Sequence, residues 1–257
     1  MDLGLVTYNL ARDWDVATII ARCQETGFAG VELRTTHAHR VEADLSPAQR
    51  AEIRRQFTGS GVCLVGLGTA FEFDAVDPQE LRRNVEGTKE YARLAHDLGV
   101  PGVKVRPNNI HEDQGVPRER TFEQIGKALR ECGECAQDLG VQIRLEVHGR
   151  VTCDPTYIRA MLDWADHPAV WACWNSNPQD LVGGSLDAGF ALLRDRIGLV
   201  HTNELWSDYP WRRLFELLCA TGYTGFCLAE LPESAEPVRL MRYYRALWQC
   251  LAGQQEG

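Results

Sequence analysis

The stretch Gln142-Ile143-Arg144-Leu145-Glu146-Val147-His148-Gly149 decides how the remaining chain is read. Ile143, Leu145 and Val147 alternate with Arg144, Glu146 and His148, and successive side chains of a strand leave on opposite faces. The octet therefore reads as a strand with its polar set on one side. On a surface strand that would be ordinary. Here the other strand-like runs alternate with helical patterns, which implies a parallel sheet covered by helices, and in a sheet closed into a barrel the polar face points inward. A carboxylate and an imidazole two residues apart, ending at Gly149, suit a metal or acid–base site at the C-terminal end of such a strand. The plain alternative is an internally satisfied structural Glu-His pair.

Outward from that strand, strand-like runs cover residues 3–8, 28–34, 62–69, 100–106, 170–175, 197–204 and 225–230. Helical patterns cover residues 14–25 after a cap at Asp13, 47–60 after Ser46-Pro47, 77–98, 118–139, 154–167, 185–196, 209–221 and 233–251. Gly27, Gly61, Gly99, Gly140 and Gly222 stand where helices should stop. Residues 252–257 are expected to fray. Eight strand-then-helix units with no linker or composition break predict one domain over residues 1–257, a single (β/α)8 TIM barrel.

The composition narrows the function classes. A chain of 257 residues, 44% hydrophobic, can bury one large core. Its formal charge of −9, from 27 basic and 36 acidic residues, argues against a nucleic-acid partner. No run of about 18 apolar residues and no charged-then-apolar leader occurs, so neither a membrane span nor a signal peptide is expected and the reading is cytoplasmic. The nine cysteines read as reduced small hydrophobes; Cys132 and Cys135 form a C-x-x-C inside a helical run with no second pair.

Side chains suited to metal ligation recur at the C-terminal ends of the last four strands: Glu146, Asn175, His201 and Glu230, separated by 29, 26 and 29 residues. Each interval is about one strand–helix unit, so four neighbouring strand ends would each contribute one ligand. Two carboxylates, an amide and an imidazole suit Mn²⁺ or Mg²⁺, with Zn²⁺ or Co²⁺ as alternatives. Lys104 and Arg106 share one face of their strand, where they either hold a substrate oxyanion or balance Glu32 and Glu146. His148 lies on the face of Glu146, and Asn203 on that of His201; both are candidate substrate contacts. Glu32 and Arg34 also share a face, ahead of a loop carrying His37 and His39. The polar connection 108–117 is long enough to cover a site.

These residues resemble the xylose isomerase-like barrel superfamily, the sugar phosphate isomerases and epimerases. It includes ketose 3-epimerases, hydroxypyruvate isomerase, inosose dehydratase and, more distantly, endonuclease IV. The resemblance spans nearly the whole chain and rests on Gly27-Phe28-Ala29-Gly30-Val31-Glu32-Leu33, on Leu145-Glu146-Val147-His148, on Asn175, on His201, and on Leu228-Ala229-Glu230. It implies one divalent ion held through Glu, Asp, His and Glu, positions that fall here on Glu146, Asn175, His201 and Glu230. It also makes His39 the stronger substrate-binding candidate of the loop pair. The chain departs from the pattern at Asn175, where the family usually has Asp, and at Pro178, where epimerases often place a His. A neutral amide leaves two negative charges in the ligand set and should hold a divalent ion more weakly.

The implied chemistry is epimerisation or isomerisation of a ketose or related small polyhydroxy carbonyl compound through an enediolate. One of Glu146 and Glu230 would remove a proton beside a metal-polarised carbonyl and the other return it. Trp174, Trp206, Trp211, Phe71 and Tyr8 are candidates for an apolar wall. An inosose dehydratase-like lyase would use the same ligands, and a sugar-binding protein on a degenerate barrel would explain Asn175. A homodimer is compatible with either.

Overall fold

Helix boundaries follow from local chemistry. At α2 (Pro47–Ser60) the Ser46 side chain accepts from the Gln49 backbone N–H while the Gln49 side chain accepts from the Ser46 N–H, a reciprocal capping box ahead of a proline that has no N–H to satisfy. Asp77 and Asp154 cap α3 (Pro78–Leu98) and α5 (Pro155–Ala165) one way, their carboxylates accepting from Gln79 N–H and Thr156 N–H, again with Pro at the first helical position. The cap of α1 (Val16–Thr26) is Asp15, whose carboxylate accepts from Thr18 N–H; the expectation of Asp13 falls two residues short, because the reach from cap to third residue selects Asp15. The other helices are α4 (Arg118–Asp138), α6 (Asp187–Leu193), α7 (Trp211–Ala220) and α8 (Pro237–Ala252). The expected helix 185–196 divides into α6 and a tighter 3₁₀ turn at Arg194–Arg196.

Strands β1 (Asp2–Val6), β2 (Gly30–Arg34), β3 (Cys63–Glu72), β4 (Gly102–Arg106), β5 (Gln142–Glu146), β6 (Val170–Asn175), β7 (Ile197–Thr202) and β8 (Phe226–Ala229) pair in chain order. β8 pairs back with β1, so the sheet is a closed, parallel (β/α)8 barrel. The computed structural model describes residues 1–253. Residue 252 belongs to α8 instead of fraying, and the expectation for residues 254–257 lies outside the described part.

The two strand faces bury different chemistry. Outward residues such as Val31, Leu33, Ile143, Leu145 and Trp174 pack with Ile19, Leu94, Ile125 and Leu214 of the helices in one continuous core, where a fully buried aliphatic side chain contributes about 1.5–3 kcal/mol. Inside the barrel Val6, Val65, Cys173, Leu199 and Leu228 form a second, small apolar cluster. Trp174 and Trp211 belong to the core around the barrel, so neither forms the expected open wall; Trp206 is 75% exposed.

β3 is longer than expected, and its glycines serve a side chain. A Cβ at Gly66 would lie 2.8 Å from Glu32 Oε2, and one at Gly68 would lie 2.7 Å from Glu32 Oε1. Only glycine leaves space for that carboxylate. β5 ends at Glu146, so His148, expected within the strand, lies in the loop that follows it.

Candidate active site and metal centre

The period-two alternation turns Glu32 of β2, Lys104 of β4, Glu146 of β5 and His201 of β7 into the barrel, where all four are almost wholly buried. Glu230 follows the last residue of β8. One ligand-type atom from each of Glu146, His201 and Glu230 lies within 4.8 Å of the other two. Lys104 Nζ donates to Glu146 Oε2 at 2.7 Å. The His201 ring stands between two carboxylates, with Nε2 3.2 Å from Glu32 Oε1 and Nδ1 3.3 Å from Glu146 Oε1. Those are ion-pair distances, yet neither nitrogen is aligned for a hydrogen bond, and both Glu32 oxygens also lack one.

The electrostatics of the cluster are set by burial against close opposite charge. Burial disfavours the Glu146 carboxylate, but Lys104 and His201 overcome it and hold the group well below the usual carboxylate range. Glu32 is likewise brought down, against burial, by His201 and Lys104. Glu230 is raised, by burial first and by the Glu146 charge, with His201 and Lys104 pulling the other way. For His201, burial opposes the charge, but the Cys173 sulfur, Glu32 and Glu146 around the ring leave it well above the ordinary histidine value.

Donor chemistry and geometry together fit a divalent cation. Asn175 pairs in register with His201 on β7, is 7% exposed, and its Oδ1 has no partner. Buried polar atoms are ordinarily satisfied, so an orphaned amide oxygen and two unaligned imidazole nitrogens beside two carboxylates are the pattern a bound cation would complete. The orphaned atoms are the observation on which this fit rests.

The other expected contacts are distributed around the mouth. Arg106 is half-buried, its Nη1 3.8 Å from Glu72 Oε1 and its Nε without a partner. His148 Nδ1 lies 3.1 Å from Asn108 Oδ1, which ties the 108–117 connection to the loop after β5. That connection is also pinned by His111 Nε2, 3.0 Å from Asp74 Oδ2. Burial, then Arg106, Lys104 and Arg34, hold His148 below the ordinary histidine value despite Glu146. Asn203 Nδ2 donates to the Ser176 carbonyl, 2.9 Å away, joining the loops after β6 and β7. Both ring nitrogens of His39 are engaged by backbone: Nδ1 accepts from Val41 N–H at 3.0 Å and Nε2 meets the Arg34 carbonyl at 2.7 Å. In this arrangement His39 shapes the loop after β2, with neither nitrogen free for a ligand.

Two features escape the sequence reading. Glu32 was legible as an inward carboxylate, but nothing in the linear chain joins it to His201 across the barrel. Behind Asn175, Asp180 Oδ2 accepts from Tyr209 Oη at 2.7 Å and from Asn177 N–H at 2.8 Å, and Asn177 Nδ2 donates to the Val147 and Asn175 carbonyls. This network fixes the loop that begins at the candidate ligand Asn175.

A closed parallel barrel with buried carboxylates and an imidazole at its C-terminal strand ends defines the class of protein. The chain belongs to the xylose isomerase-like TIM barrel family, whose model matches residues 20–247. No curated protein matches it at the sequence level. Among solved structures it is similar to D-psicose 3-epimerase from Clostridium cellulolyticum H10, solved with D-tagatose, at 16% identity over 98% of this chain and 99% of that one, with a TM-score of 0.82. It is similar to 3-keto-D-glucoside 4-epimerase from E. coli at 16% identity, covering 97% and 99%, with a TM-score of 0.80. It also resembles the IOLI protein solved with a zinc atom, at 16% identity over the whole of both chains and a TM-score of 0.78. At such identities the likeness is one of fold.

Proposed function

We propose that this chain is a metal-dependent sugar isomerase or epimerase acting on a ketose or related small polyhydroxy carbonyl compound. The observation that carries the reading is the convergence of Glu146, His201 and Glu230 at neighbouring strand ends, buried and within 4.8 Å of one another. The epimerase names of the similar structures support it.

Glu146, His201 and Glu230 would hold the ion, with Asn175 Oδ1 as a neutral fourth donor, and the bound ion would polarise a substrate carbonyl and acidify the adjacent C–H. This oxygen-rich set suits Mn²⁺ or Mg²⁺, and Zn²⁺ or Co²⁺ also accept it. Glu32 stands 3.2 Å from His201 Nε2, on the side of the ring away from Glu146, which lies 3.3 Å from Nδ1. Lys104 engages Glu146 Oε2, leaving Oε1 toward the centre of the site. One of Glu146 and Glu230 takes a proton from carbon and the other delivers one from the opposite side. Arg106, joined by Arg34 and His148, lines the rim where substrate oxygens would be held, with Lys104 buried beneath against Glu146. The apolar cluster beneath closes the floor to water.

Solvent deuterium exchange into a panel of ketoses and inositol derivatives tests the proposal, because exchange reports proton abstraction whatever the product. Exchange by the metal-loaded wild type, abolished in both Glu146→Gln and Glu230→Gln, is the expected result. Undiminished exchange in either variant contradicts the assigned roles.

A further inference from the structure

At the end of the barrel opposite the candidate active site, among the N-terminal ends of the strands, lies a cavity of about 630 Å³. Its wall is largely apolar, with Phe57, Val62, Leu64, Leu199 and Phe226 among its residues. The charged side chains on it are Arg54 and Arg144, and no Asp or Glu lines it. A cavity of this size is in the range that holds small organic ligands.

Arg144 is the inward residue one step before Glu146 on β5, yet it turns the other way. A Cβ at Gly102 would lie 2.5 Å from Arg144 Nε, so the glycine at the start of β4 opens the path by which the guanidinium reaches the strand starts. The residue is 4% exposed. Its Nε donates to Gln142 Oε1 at 2.9 Å and its Nη1 to the Val65 carbonyl at 3.1 Å, both neutral acceptors. Among the described residues no carboxylate forms an ion pair with it and none accepts from Nη2. Burial weighs most against its charge, with Tyr223 and then Glu32 favouring it, and the Glu32 carboxylate lies 3.2 Å from His201 Nε2. Buried charges are ordinarily paired, and a guanidinium fork matches a carboxylate in particular.

We propose that this cavity is a second binding site, for a small monocarboxylate with an apolar body. The carboxylate meets Arg144, with Arg54 at the rim, and the hydrocarbon part lies against the apolar wall. The site is independent of the chemistry at the other end of the barrel.

Cys63 provides the readout, since it lines the cavity and its residue is exposed, whereas the exposed Cys219 and Cys250 lie elsewhere. Alkylation of the full-length protein by iodoacetamide, followed at peptide level, gives a rate for each thiol. Hexanoate at ten times its dissociation constant should slow Cys63 about tenfold and leave Cys219 and Cys250 unchanged. Hexanamide and inorganic phosphate should give no comparable protection, and Arg144→Gln should abolish that given by hexanoate. If Arg144→Gln fails to fold, Thr58→Trp, an exposed position on the cavity wall, should block the mouth and remove the hexanoate dependence. The proposal is overturned if hexanoate leaves Cys63 unprotected, if hexanamide or phosphate protects equally well, or if protection survives in the folded variants.

Discussion

Replacing Asp180 by Asn should stabilise the protein at neutral pH and bring no benefit in acid. Asp180 is fully buried; Oδ2 accepts from Tyr209 and Asn177, while Oδ1 has no partner. Burial pushes its carboxyl up to about 7, against the two hydrogen bonds and with some help from Asp154. In the unfolded chain the same group titrates near ~3.9. Below that value it is protonated in both states and contributes no pH dependence. As the pH rises from there, the unfolded chain ionises first and stability falls, until the folded group also ionises near pH 7. Above that the loss is constant, at most about 4 kcal/mol. Asn keeps an acceptor for Tyr209 and Asn177 without the charge, but it places an unpartnered NH₂ where Oδ1 now lies, at about 1–3 kcal/mol. The net expectation is a gain of about 1–3 kcal/mol at pH 8, reversing to a loss of about 1–3 kcal/mol at pH 4. Urea unfolding of both proteins across this range measures it. A difference that does not change with pH, or that favours Asn more as the pH falls, would show that the buried Asp180 charge is not what costs stability.

Lys104→Met should destabilise the metal-free protein by about 3–5 kcal/mol, because it strands the Glu146 charge in the barrel. Added Mn²⁺ should recover part of that loss in urea unfolding, and an equal loss with and without Mn²⁺ would contradict the proposed cation site. Gly68→Ala should cost about 1–3 kcal/mol, since its Cβ meets Glu32 Oε1 at 2.7 Å and Arg34 Cγ at 3.2 Å. The displaced Glu32 should also weaken metal binding through His201, a consequence that thermal unfolding with and without Mn²⁺ can separate from simple overpacking.

The barrel was legible because each strand alternates and each strand–helix unit carries its own punctuation. Capping at Ser46 is local chemistry, and the structure reproduces it, while Asp77 and Asp154, read as the first residues of their helices, are the caps that precede them. Choosing Asp15 over Asp13 needed only the cap-to-Thr18 distance, but two acidic residues either side of Trp14 hid it. The inward set was readable for the same reason, and the Lys104–Glu146 pair is one of the two readings that the alternation of β4 left open. Contacts made across the barrel were not readable. The Glu32–His201 approach, the Asp180–Tyr209 bond and the turn of Arg144 over Gly102 join residues far apart in the chain. In each case the position could be assigned to a face, while the partner depended on closure of the sheet. The glycines of β3 likewise serve a contact made between strands, the approach of the Glu32 carboxylate.

Titration of metal-free protein with Mn²⁺, read as ions bound per chain, asks whether Glu146, Asn175, His201 and Glu230 form a cation site. One ion per wild-type chain is expected, with loss of that ion in the Glu146→Gln/Glu230→Gln double variant and tighter binding in Asn175→Asp. A wild-type chain that binds no ion, or a double variant that keeps a full equivalent, would contradict it.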